Sequence, residues 1–412
     1  MRFAVSQRCS SGHARVGALF AGNSPTPLET PALLLSTKKG LPAFLSPDLL
    51  PSLPPSSGPH SLHISPVHFL DGPTPAIISS IGGLHQMLAL HNCFFVASAR
   101  DSIQSLPVST AANKLGASFE TPGGRWLVKP SSYMDVISSL KPDFWASLAD
   151  EVPASVSEKR NRASVDRTLR WLDDCIALDK TGGNNIFGSI VGGSRVGERK
   201  RCATEVAKRN VQGFYIGGFG LGESMEERSG LLNTVMDCLP EDKLRHICGL
   251  SLPEEILQGV AAGIDLFDSA YIYHITVGGL ALVFPFDIME GESFNTQLQN
   301  YDDVTKINLR AIIYRKDTSP LVNNCSCYTC RNHTRAYINH LLNVHEMLAQ
   351  ILLDIHNTHH YLEFFSAIRK AIKSDKFDLF CKKFIEGRHS HLTSSLPCYN
   401  ANESSLLSAH TS

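Results

Sequence analysis

Short apolar runs that alternate with longer amphipathic ones between residues 144 and 267, in a chain of 412 residues, predict an α/β protein: a parallel sheet closed as a (β/α)8, TIM-like barrel. Three closely spaced cysteines near the end of the chain, Cys325, Cys327 and Cys330, add a C-terminal metal-binding subdomain to that expectation. Residues 144–149, 187–191, 213–216, 246–250 and 264–267 are short and apolar, as parallel strands covered on both faces must be. Between them, 160–178, 197–209, 225–238 and 253–262 read as helices. Pro253 suits a first helical turn, and Ser251 is the candidate cap before it.

The first 80 residues are crowded with Pro, Ser and Leu, which favours short strands and turns over long helices. The organisation expected is a divergent, strand-rich N-terminal part of the barrel over 1–120 and the βα repeats over 121–315. A zinc-binding subdomain with the closing helices over 316–388 and a polar tail over 389–412 complete it. Residues 288–303, acidic and Gly/Asn-containing, read as a surface loop.

Composition excludes several classes of function. Hydrophobic residues make up 43% and charged residues 19%, the balance of a globular chain with an ample core. Net charge is −1, so any RNA contact has to come from local basic patches. Eleven cysteines, mostly scattered, fit a reducing compartment and no disulfide framework. Neither a signal peptide nor an integral membrane segment is expected, because apolar runs of the necessary length are missing.

The sharpest chemical pattern is C-x-C-x-x-C at Cys325, Cys327 and Cys330, followed by His356 at the far end of an apolar-periodic stretch. Three thiols and one imidazole close a tetrahedral site with no open position, so a single structural Zn2+ is expected. His333, His359 and His360 are rival ligands. The stretch that includes Ile338, Leu341, Leu348, Leu352 and Ile355 reads as one helix folding back over the cysteines. Its residues Tyr337, Leu341, Leu348 and Leu352 offer more apolar surface than a metal turn needs, and this helix is the expected contact with a partner.

The run Cys-Ser-Cys-Tyr-Thr-Cys-Arg-Asn-His-Thr-Arg-Ala-Tyr-Ile-Asn-His-Leu, followed by Ile-His-Asn, resembles the zinc subdomain of the queuine tRNA-ribosyltransferase (tRNA-guanine transglycosylase) family. The likeness extends from about residue 125 to 385 and also implies a barrel. It further implies a carboxylate nucleophile, a second carboxylate to move a proton, and a pocket that hydrogen-bonds a purine. Asp268 stands at the nucleophile position, but the Pro-Thr-Arg that follows in catalytic members is here Ile272-Tyr273-His274. Asp150 and Glu151 match the base-recognising pair. Val191 replaces a purine-binding Gln, a loss of about 1–3 kcal/mol when a polar base is desolvated unpaired. The glycine-rich loop survives as residues 217–223. The proton-handling motif Asp-Ser-Gly-Gly-Phe-Gln has no full counterpart, the nearest strings being 80–84 and 121–125.

These departures fit the non-catalytic accessory subunit of the eukaryotic enzyme, with no catalytic residue of its own and Asp268 vestigial. The resemblance then implies a heterodimer with a catalytic subunit and contact with tRNA through that complex. The pair exchanges guanine for queuine at the wobble position of GUN anticodons, in queuosine tRNA modification. It also implies the cytoplasm, with the mitochondrial outer membrane as a peripheral seat. Two alternatives stay open: a divergent active transglycosylase using Asp268 as nucleophile, and a stand-alone zinc-stabilised RNA-binding protein.

Overall fold

A computed structural model describes residues 2–10, 12–20, 26–54, 59–179, 185–286 and 305–389. The expected loop at 288–303 and the tail beyond 389 lie outside the described residues.

Eight parallel strands close a barrel: Ala32–Ser36, Ser61–Ile64, Phe94–Ala97, Phe144–Ala146, Ile186–Ile190, Gly213–Ile216, Leu244–Ile247 and Leu266–Asp268. The last pairs with the first in the register Leu266 to Ala32, Phe267 to Leu33 and Asp268 to Leu34. Side chains alternate along each strand. Leu34, Phe94, Val96, Phe144, Ala146 and Phe187 pack against one another inside, while Leu33, Leu35, Phe95, Ala97 and Trp145 face the surrounding helices. The first three barrel strands lie among the prolines of the N-terminal third.

Helices Glu158–Leu178, Val196–Ala207, Met225–Met236 and Pro253–Ala261 follow their strands in the expected order. Ser157 caps the first of them, accepting from Arg160 N–H, and Ser224 caps the third, accepting from Glu227 N–H. Ser251 does not cap the fourth. Leu252 holds that position while the Glu255 carboxylate accepts the N–H groups of Ser251 and Leu252, and the Ser251 hydroxyl accepts from Tyr271 N–H.

An antiparallel sheet of Arg2–Arg8, Arg15–Phe20 and Leu28–Thr30 covers the N-terminal end of the barrel, where Leu19 and Leu28 join the interior packing. Arg15 passes a bidentate pair to Asp265, Nε to Oδ1 at 2.9 Å and Nη2 to Oδ2 at 2.6 Å, with both side chains buried.

The C-terminal subdomain has a core of its own, including Ile307, Leu309, Tyr314, Ile338, Leu342 and Leu353. The single helix expected there is two, Arg335–Asn343 and Leu348–Lys373. His345 adopts the left-handed conformation with φ 59°, and Glu346 N–H donates back to Leu341 C=O at 2.9 Å, a helix-terminating pattern in which His345 takes the place usual for glycine. Helix Leu348–Lys373 then crosses between cores: Leu352 and Leu353 pack in the subdomain, and Tyr361, Phe364, Phe365 and Ile368 pack on the barrel. Among the described residues no helix is long and apolar enough to cross a membrane.

Replacing Asp265 with Ala leaves the buried Arg15 charge unpaired. It is expected to cost about 3–5 kcal/mol of stability in urea denaturation. A change below about 0.5 kcal/mol, the range of ordinary surface substitutions, would show that the pair is not holding this end of the barrel.

Candidate functional site

Cys325, Cys327, Cys330 and His356 come together, their ligand atoms all within 4.8 Å of one another. The three sulfurs lie 3.9, 3.5 and 3.4 Å from His356 Nδ1. Tetrahedral zinc with ordinary bond lengths sets such edges at about 3.6 Å, so the donor set fits that ion. Cys327 is the N-cap of helix Tyr328–Asn332, and its sulfur also accepts from Cys330 N–H at 3.3 Å. His356 Nε2 lies 2.9 Å from Leu282 C=O. Donation there fixes the ring and leaves Nδ1 free for a metal. The rivals are placed elsewhere: His360 Nε2 is 2.8 Å from Phe284 C=O, His359 Nε2 is 3.3 Å from Ser326 Oγ, and His333 stacks on Tyr337.

The second site is the barrel mouth at the C-terminal ends of the strands. Asp268 ends the eighth strand, buried, and both its oxygens are taken: Oδ2 accepts from Gly249 N–H at 2.5 Å and Oδ1 from Ala270 N–H at 2.9 Å. It lies just before the helix Ala270–Gly278, whose N-cap is Ser269 and which carries Ile272, Tyr273 and His274. Asp150 accepts both Nη groups of Arg160, at 2.8 and 2.7 Å, and Nη1 of Arg167 at 3.0 Å. Glu151 accepts from Gly218 N–H at 2.6 Å, from Arg100 Nη1 at 2.8 Å and from Tyr215 O–H at 3.1 Å. Val191 is buried after the fifth strand.

Residues 217–223 turn beside Glu151. Arg199 fastens this turn, donating to Gly193, Gly217 and Gly218 carbonyls at 2.9, 2.7 and 3.0 Å, with its guanidinium 3.9 Å from the Phe219 ring centroid. Burial draws that guanidinium down to about 10, still charged at neutral pH. Deeper in the barrel, His246 packs against Tyr215 and His63; burial pushes it well below its ordinary value, so it is neutral.

Neither of the two strings nearest to the proton-handling motif directly follows a barrel strand. Residues 80–84 form the corner between helices Pro75–Ile81 and Leu84–Leu88, and 121–125 is the turn of the hairpin Ala117–Thr121 and Gly124–Val128. What enters the mouth after the third strand is the segment 98–105. That segment carries Asp101-Ser102 and Gln104, and the buried Asp101 carboxylate accepts the N–H groups of Ile103 and Gln104 at 3.1 and 3.0 Å. The Asp-Ser pair, the Gln and the apolar strand before them were the available signal. Arg100 and Arg199, both fully enclosed, were also missed, because buried arginine is rare enough that sequence gives no reason to expect it.

Fold and site together define a (β/α)8 barrel with buried carboxylates at its strand ends and a Cys3His subdomain. A profile described as Queuine tRNA-ribosyltransferase matches residues 9–390. The chain belongs to the queuine tRNA-ribosyltransferase family. It is 35% identical over 392 residues to Queuine tRNA-ribosyltransferase accessory subunit 2 of Homo sapiens, covering 85% of this chain and 90% of that one. The protein of that name from Xenopus tropicalis is 34% identical over 408 residues, with 92% and 97% covered. That from Danio rerio is 35% identical over 382 residues, with 86% and 91% covered.

Cys327→Ala removes one of four donors. It is expected to lower bound metal, read by elemental analysis of the purified chain, and to speed amide exchange in Tyr328–Asn332. Full metal loading in this variant would move the centre off these residues.

Proposed function

We propose that this chain is the non-catalytic accessory subunit of a heterodimeric queuine tRNA-ribosyltransferase. Its partner is a catalytic subunit that exchanges guanine for queuine at the wobble position of tRNAs with GUN anticodons. The naming of the relatives supports the accessory role. The observation that carries it is the state of the mouth: Glu151 accepts three hydrogen bonds from the chain itself, one of them from the buried Arg100 guanidinium. Base exchange runs through a covalent and a proton-transfer step, and both need the base seated against a carboxylate that this chain already pairs with its own donors. The reading of Asp268 as an active nucleophile is disfavoured, since its two oxygens already hold Gly249 and Ala270.

In this reading Cys325, Cys327, Cys330 and His356 hold one structural zinc within the subdomain expected over 316–388, whose core also takes in Ile307, Leu309 and Tyr314. The cytoplasm suits the ten cysteines among the described residues, none of which is in a disulfide. The partner surface is proposed on the subdomain. Ile312, Tyr337, Met347 and Leu348 are exposed there, at 84%, 39%, 68% and 39%, and together offer the apolar surface expected of an interface. Leu341 and Leu352, which the sequence assigned to the same face, are buried in the subdomain core and are not available to a partner.

Two measurements test this. The isolated chain is expected to show no incorporation of labelled guanine into tRNA, and Asp268→Asn to leave the turnover of the reconstituted pair within about twofold, a change of under about 0.5 kcal/mol in barrier. A loss of a hundredfold with the pair intact would assign chemistry to Asp268. Separately, Ile312→Glu and Met347→Glu are expected to abolish co-purification with the catalytic subunit while metal content stays unchanged; undiminished pairing would place the interface elsewhere.

A further inference from the structure

The slot beside Glu151 is filled. Arg100 enters it from the segment after the third strand, 3% exposed, and its Nη1 donates at 2.8 Å both to Glu151 Oε2 and to Phe219 C=O. The surroundings are shaped to admit it. A Cβ on Gly249, whose φ is +94°, would stand 2.3 Å from Arg100 Nη2 and 2.9 Å from Phe219 C=O, so this close approach needs glycine. The walls do not depend on Arg100 alone, because Arg199 independently pins the 217–219 turn and the Phe219 ring. The fit is incomplete: Arg100 Nε is buried with no hydrogen-bond partner among the described residues.

A guanidinium is a planar cation with N–H groups along its edges. The N1–H and 2-amino edge of guanine is likewise planar and rich in N–H donors, and a carboxylate beside a backbone carbonyl accepts either. We propose that Arg100 is an internal ligand of the base slot, its guanidinium holding against Glu151 and the Phe219 carbonyl the place of a purine's N–H edge. The slot is thereby closed to free bases, and its shape is kept by a side chain of the same protein. A smaller residue at position 100 turns it into a binding site for guanidinium and for guanine. Val191 still denies the base one polar contact, so affinity stays modest. The proposal rests on the functional reading above only in taking Glu151 as the base-recognising position.

The test uses the isolated chain, with no tRNA or partner. Arg100→Ala is expected to melt at lower temperature than the wild type. Millimolar guanidinium chloride should restore part of that loss while sodium chloride at equal ionic strength does not. Guanine is expected to bind this variant at least about tenfold more tightly than the wild type in equilibrium dialysis, equivalent to about 1.4 kcal/mol. Adding Glu151→Gln should abolish that binding. Arg100→Gln, which keeps a donor for Glu151 but vacates the end of the slot, gives the same comparison if Arg100→Ala does not fold.

A folded variant that binds guanine no better than wild type overturns the proposal. So does equal stabilisation by the two salts, or guanine binding that survives Glu151→Gln. These results would leave the accessory-subunit reading standing. Labelled guanine entering tRNA with the isolated wild-type chain would overturn that reading and leave the binding comparison to be judged by itself.

Discussion

Closing a barrel requires the last strand to find the first across the whole length of the chain, and here that seam is held by the carboxylate of Asp265. Its oxygens take Arg15 Nε and Nη2 and the N–H of Arg245, while its own carbonyl accepts Ala32 N–H at 2.8 Å. One residue thus ties the covering N-terminal sheet, the seventh and eighth strands and the start of the first. A carboxylate and a guanidinium removed from water together lose much hydration, and bidentate geometry with a further backbone donor on the carboxylate is what makes their burial tolerable. Once the seam holds, the loops at the opposite end are fixed relative to one another. Everything at the mouth depends on that alignment.

The mouth obeys the same rule by different means. Asp150, Glu151 and Asp268 are all buried carboxylates, and each is matched to arginine or backbone donors of this chain. A site that must accept a base has to leave such groups partly unmatched until the base arrives, a cost recovered on binding. Here every one of these carboxylates already has donors from the chain on both oxygens, so an incoming base would have to displace or share them.

Sequence reached some of this and missed the rest for physical reasons. The strands beginning near 144, 187, 213, 246 and 264 are apolar enough to read directly, and the helix capped by Ser157 starts within two residues of its expected position. The metal ligands were legible because metal chemistry dictates residue type and spacing at once. The strands Ala32–Ser36, Ser61–Ile64 and Phe94–Ala97 were hard to see because each is only four or five residues long among prolines, and it is pairing to long-range neighbours that makes them strands. Arg100 lay beyond reach for a related reason. Its meaning comes from Glu151, Phe219 and Gly249, up to 149 positions away, and no local pattern links them.

Helix Leu348–Lys373 belongs to two cores, with His356 and Leu352 on the metal side and Phe364, Phe365 and Arg369 against the barrel, where Arg369 reaches Pro31 C=O at 2.8 Å. The subdomain is therefore no detachable module. A chain cut ahead of it would strip the barrel of a wall as well as the cysteine cluster, and grafting it onto another scaffold would carry away half of a hydrophobic interface with nothing to cover it. A disturbance at either end of this helix is therefore felt at the other, through one rigid rod shared by the cysteine cluster and the barrel wall.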